Sequence, residues 1–119
     1  MKQVLLVAFG GAFGSVARYG AGVAAARLFG LAFPWGTLFV NVLGALLIGV
    51  LSARIDPSQE DIRLLIGVGI LGGFTTFSAF SLEVVRLGQN NPSTAALYVA
   101  SSLVLGLGAC WLGLALGRP

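Results

Sequence analysis

In an otherwise apolar chain of 119 residues, a few side chains have chemistry to offer. Asn41 and, four residues earlier, Thr37 set an amide and a hydroxyl on one helical face. The stretch "LGGFTTFSAFS", Leu71 to Ser81, places Phe77 and Phe80 three apart, with Ser78 and Ser81 beside them. Thr94, Tyr98, Ser102 and Gly106 then recur at four-residue steps. A phenyl ring is negative on its face and positive at its edge, so ring edges in a narrow path contact an anion without a fixed cation. The Asn N–H and the hydroxyls add donors, and together these groups suit a small anion that hydrogen-bonds strongly. Each feature also has a plainer reading. Asn41 can be interhelical glue worth about 1 kcal/mol, the hydroxyls can bond back to carbonyls one turn earlier, and the two Phe can form a packing ridge.

Other chemistries have little to build on. There is no His and a single thiol, Cys110, which excludes an intrachain disulfide and leaves no basis for a transition-metal site. "GGAFG" (Gly10 to Gly14) is not a phosphate loop, since no Lys-Ser/Thr pair follows it and no strand precedes it. No nucleophile and base pair can be assembled, so an enzyme is not expected. The net charge of +3 includes no basic cluster, which points to lipid headgroups and not to nucleic acid.

The elements that hold these residues are membrane spans. The chain is 57% hydrophobic and 9% charged, with a mean hydropathy of +0.97, where a soluble domain carries about 25% charged residues. Residues 3–17, 28–53, 64–82 and 87–117 carry no charge, and a bilayer-spanning helix needs roughly 20 mostly apolar residues. They predict one all-α domain over residues 1–119, with helices at about 3–27, 34–54, 62–86 and 94–117. The first stretch has no cleavable-signal shape and is expected to remain in the mature protein. "DPSQED" (Asp56 to Asp61) forms the longest connection, with Pro57 ending the second helix and Ser58 as N-cap of the third. "GQNNPS" (Gly88 to Ser93) plays the same part before the fourth.

Gly72 and Gly73 predict a break in the third helix. Carbonyls freed there are intolerable in lipid unless protein, water or an ion satisfies them, so the break suggests an ion site. Arg18 is the one basic residue well inside a span. Snorkelling to the interface is one fate and holding an anion at a path mouth is another, and a structural or vestibule role is favoured over a place in the path. With an even number of spans the termini share a side. Lys2, Arg54, Arg63 and Arg118 lie there against Arg27 and Arg86 opposite, a weak orientation bias.

"GGAFGSVARYG", "GTLFVNVLGALLIG" and "GGFTTFSAFS", in that order, resemble the Fluc (CrcB) family of fluoride channels over essentially the whole chain. The resemblance implies a dual-topology antiparallel homodimer in the inner membrane, with two narrow fluoride pores and a central structural Na⁺. It puts Asn41 on the pore, Phe77 and Phe80 along the ion path, and Ser78, Ser81, Thr37, Tyr98 and Ser102 on a polar track beyond them. Glu83 matches an acidic residue near a pore mouth. The Na⁺ would be held by the backbone carbonyls of Gly72 and Thr75 from both subunits. Two positions depart from the family pattern: Ala79 stands where a Thr is common between the two Phe, and Gly106 where some members continue the track with a hydroxyl. Four helices are too few to enclose a selective path comfortably, which independently favours an oligomer. The rival readings are a small dual-topology proton-coupled exporter, which needs a titratable residue central in the membrane, and a non-transporting scaffold subunit.

Overall fold

Apolar stretches this long satisfy their own backbone in lipid only as helices, and the computed structural model, which describes Met1–Pro119, is helical throughout with no strand. Helix α1 spans Lys2–Phe29, α2 Trp35–Arg54 and α5 Pro92–Gly117. The third span, Glu60–Asn90, is divided into α3 (residues 60–74) and α4 (Ser78–Asn90). Four helices are long and apolar enough to cross a membrane, and their ends lie within a few residues of those predicted. The molecule is an elongated bundle of 49 × 29 × 23 Å. Helix α2 packs along α5, and α1 along α3.

Glycines set both helix pairs. A Cβ on Gly10 would stand 2.9 Å from the Gly69 Cα, and one on Gly14 would strike the Ile70 carbonyl. On the other side, Gly49 and Gly113 face each other so closely that a Cβ on Gly113 would meet the Leu46 carbonyl. Where lipid is as apolar as leucine, such close backbone approach supplies much of the attraction between helices. Within α3, Arg63–Leu71 is wound as a π-helix, seen in the Gly72 N–H bonded to the Gly67 carbonyl.

Two local expectations are corrected. Gly72 and Gly73 do not break the helix: Gly72 has φ −64° and ψ −37°, and the chain turns extended only at Thr75, with φ −91° and ψ 159°. Gly73 serves close packing instead, since a Cβ there would stand 2.6 Å from the Gly11 carbonyl. Ser58 does not cap the third span, which starts at Glu60 after Gln59. Its N–H and hydroxyl both donate to the Asp56 carboxylate, the side chain taking the nearer local acceptor. Those two bonds hold the Asp56 carboxyl below its ordinary range. Asn91 caps α5 by accepting from the Thr94 N–H at 3.1 Å, with Pro92 in the first turn.

At the pole holding the termini, Lys2 pairs with Asp61 at 2.6 Å, and Arg63 grips Glu60 through two nitrogens. These pairs are exposed and each contributes at most about 1 kcal/mol.

The glycine contacts give a direct test. Gly14→Ala should destabilise the protein by about 1–3 kcal/mol, because its methyl would have to displace backbone. Gly20→Ala, with nothing within 4 Å of the added carbon, should be neutral or stabilising by up to about 1 kcal/mol. Thermal unfolding in detergent compares the two; equal midpoints would mean that the α1–α3 contact is not limiting.

Candidate functional site: an interrupted helix and its polar partners

The site is built around the peptide of Thr76. Leaving the helix at Thr75 removes the helical partners of the next residues, and Asn41 on α2 replaces them. Its Nδ2 donates to the Thr76 carbonyl at 2.9 Å, and its Oδ1 accepts from the Thr76 N–H at 2.8 Å. One side-chain amide thus pairs with both backbone groups of one residue. An Asn amide has two N–H donors, so one remains after this pairing.

Two further side chains bond to the backbone beside the break. Thr75 donates its hydroxyl to the Leu71 carbonyl at 2.9 Å, and Arg18 on α1 donates from Nε to the Gly73 carbonyl at 3.1 Å. Arg18 is therefore half-buried with its Nε held at the break. The Thr76 hydroxyl accepts from the Ala79 N–H at 3.2 Å and restarts the chain as α4. The carbonyls of Gly72 and Thr75 accept no hydrogen bond. Both residues line one groove of about 320 Å³ with Asn41, Gly44 and Leu71.

The second cluster joins three elements. Glu83 on α4 accepts from the Thr37 hydroxyl of α2 at 3.0 Å and from the Tyr98 hydroxyl of α5 at 3.1 Å. Tyr98 is fully buried. Its ring stands edge-on to Phe80, with centroids 5.1 Å apart and planes at 66°, and Phe80 in turn contacts Phe77 at 5.8 Å. Thr37 and Glu83 also border a chamber of about 500 Å³ at the pole away from the termini, together with Arg86, Asn90 and Asn91. Ser102, one turn past Tyr98, is half-buried and makes no hydrogen bond within the chain. The Ser81 hydroxyl bonds back to the Phe77 carbonyl at 2.9 Å, while Ser78 lies exposed near Thr76.

Asn41, Thr75, Gly72 and Arg18 therefore surround the break, and Thr37, Tyr98, Glu83 and Phe80 form one network beside it. Phe77 is 78% exposed on the outer face and meets only Phe80 among the rings. Thr76 was not singled out from the sequence, nor was Phe33, whose ring packs on Tyr98. The adjacent "TT" was the available signal for Thr76, since a β-branched hydroxyl residue beyond a helix end is a ready cap. Phe33 carries no sequence signal, being one aromatic in a connection.

A bundle of apolar helices that opens one helix at mid-membrane, and spends polar side chains on holding it open, is a multi-pass membrane protein organised around an ion path. The chain belongs to the CrcB family: residues 5–114 match the family described as "CrcB-like protein, Camphor Resistance (CrcB)". It is 52% identical over 122 residues to a protein of Rhizobium johnstonii named "Fluoride-specific ion channel FluC", covering 99% of this chain and 98% of that one. Proteins of the same name from Allorhizobium ampelinum and a Caulobacter species are 48% and 49% identical, with coverage of 99% of this chain and 98% and 96% of theirs.

The amide clasp makes a prediction at Asn41. Asn41→Ala leaves the Thr76 N–H and carbonyl without partners at mid-membrane and should cost about 2 kcal/mol or more. Asn41→Asp keeps the acceptor but sets an oxygen against the Thr76 carbonyl, and should be at least as damaging. The melting temperature of the purified protein in detergent is the measurement, and an unchanged value for both variants would show that the clasp does not hold the break.

Proposed function

We propose that the protein is a fluoride-selective ion channel that lets cytoplasmic fluoride leave passively across the cell inner membrane, and that it is not an enzyme. The observation that carries this reading is the helix break clasped by Asn41, with aromatic rings and hydroxyls continuing from it, in a chain about half identical to proteins named as fluoride-specific channels. Fluoride is small and strongly hydrated, so a path for it must replace water by donors placed close together. The remaining Asn41 N–H and the hydroxyls of Ser78 and Ser102 supply them, with the edges of Phe77 and Phe80 as the weakly electropositive wall. Thr37, Tyr98 and Ser81 stand on the same track. Arg18 and Glu83 belong to its approaches, Arg18 tied to the break and Glu83 beside the outer chamber.

The working unit is an antiparallel homodimer. Phe77, Ser78 and Gly72 lie on an exposed face at the middle of the third span, where bare polar groups toward lipid are costly. A second copy inserted the opposite way would cover them, and the balance of Lys and Arg between the two poles permits both insertions. A sodium ion fits the same face. The Gly72 and Thr75 carbonyls are hard oxygen donors with no hydrogen bond, and from two subunits they would hold a monovalent cation, which would neutralise their partial charge and fix the dimer.

The rival exporter requires a central titratable group. The one carboxylate deep in the spans, Glu83, is instead engaged by two hydroxyls and stands past the break.

Fluoride-loaded liposomes decide between them. Efflux should begin when a potassium ionophore relieves the charge imbalance, and should not need a proton gradient; dependence on an imposed gradient would favour the exporter. In the same assay Phe80→Ile should cut fluoride efflux steeply while the dimer still forms, because the change keeps apolar bulk at a cost of at most about 1 to 2 kcal/mol but removes the positive edge. Normal efflux would return the pair to a packing ridge. Replacing Na⁺ with a bulky organic cation should lower the melting temperature of the dimer, and a midpoint indifferent to the cation would argue against the carbonyl site.

A further inference from the structure

We propose that Phe33, in the connection between α1 and α2, is a positioning residue for the ion path: it holds Tyr98, and through it the Tyr98–Glu83–Thr37 network, in place. The inference rests on the channel reading.

The connection is itself well fixed. Gly30 takes a positive φ of 77° to leave α1, and Pro34 restrains the residue before it to extended backbone. The Phe33 carbonyl accepts from the Trp35 N–H at 2.9 Å. The Phe33 ring is thus delivered half-buried onto Tyr98, edge-on, with centroids 5.3 Å apart and planes at 72°. Trp35 backs it at 4.7 Å.

Tyr98 is consequently gripped by two rings. Phe80 holds it at 5.1 Å and Phe33 at 5.3 Å, both in edge-type geometry. Its hydroxyl donates to Glu83, which also receives the Thr37 hydroxyl. Phe33 at the same time walls the chamber of about 500 Å³ that Thr37, Glu83 and Arg86 border. Without its ring, Tyr98 would have open chamber on one side in place of an aromatic wall. The hydroxyl would be free to leave Glu83, and Phe80 would lose the far half of its support.

Fluoride efflux from liposomes, normalised to protein that elutes as a dimer on gel filtration, tests this with four variants. Edge-type aromatic pairs are worth enough that Phe33→Leu should slow efflux about three- to tenfold. Phe33→Tyr, which restores a ring, should recover most of the rate. In a Tyr98→Phe background, where the hydroxyl is already gone, Phe33→Leu should lower the rate by less than about twofold. Wild-type efflux from Phe33→Leu would overturn the inference alone. So would a full further loss in the Tyr98→Phe background, since a ring that only packs would act regardless of the hydroxyl. If the wild-type protein passes no fluoride, the channel reading falls and this inference falls with it.

Discussion

A backbone that leaves its helix in the middle of a bilayer exposes N–H and carbonyl groups worth several kcal/mol each if unmet, and this protein is arranged around meeting that demand. Asn41 answers it for Thr76 with a single amide, and Arg18 reaches from α1 to answer it for Gly73, while the Thr75 hydroxyl adds a second bond to the Leu71 carbonyl, which already accepts the Thr75 N–H. Each of these donors must arrive from a fixed distance, which is why the surrounding contacts are so close. Gly10 and Gly14 let α1 approach α3 until backbone touches backbone, and only from there does the Arg18 side chain reach the break. Gly44, one turn from Asn41, leaves room for the Thr75 methyl, which a Cβ at that position would strike. Removal of the small residues would therefore not merely loosen packing; it would move the groups that keep the interruption tolerable.

The same commitment governs the polar groups on the proposed path. Two of the hydroxyls with the right chemistry to receive an anion, those of Thr37 and Tyr98, already donate to Glu83. An anion approaching them has to compete with a carboxylate or draw them away from it. The groups with no such engagement are Ser102 on α5, the second N–H of Asn41 on α2 and, at the start of α4, Ser78. A path so divided offers few donors at any one point. In the proposed channel each step would then bind weakly, and ions enter and leave a pore quickly only when no single site is too favourable.

Much of this arrangement was legible in the sequence because the membrane simplifies the code. Where charge is absent for some twenty residues, little but a spanning helix remains possible, and the four spans follow. Asn41 was visible for a related reason: a lone amide amid Leu and Val has to be spent on something. The location of the break was less accessible. Glycine's low helix propensity pointed to Gly72 and Gly73, but propensity is a weak prior beside tertiary contacts: both residues stay helical, and Gly73 packs directly on Gly11 and Ser15. The break falls where a partner exists to receive it, opposite Asn41, and a pairing across 35 residues of sequence is not encoded locally. The same holds for Phe33, whose role depends wholly on where α5 sets Tyr98.

The scarcity of cations along the path also bears on selectivity. A free guanidinium beside a small anion in a dry interior would attract it by up to about 20 kcal/mol at 4 Å, an upper bound, and would turn a path into a trap. Arg18, the only basic residue deep in the spans, instead has its Nε engaged with the Gly73 carbonyl, and Arg86 stands out at the chamber. Apart from the proposed Na⁺, what is left along the break is the electropositive edge of Phe rings and a handful of hydroxyl and amide protons. Such groups stabilise an anion in proportion to how closely it fits between them, so a larger halide, held farther from each donor, gains less from every contact. On this reading, preference for the smallest halide comes from short contacts to weak partners, and the absence of a strong one is what allows the ion to leave.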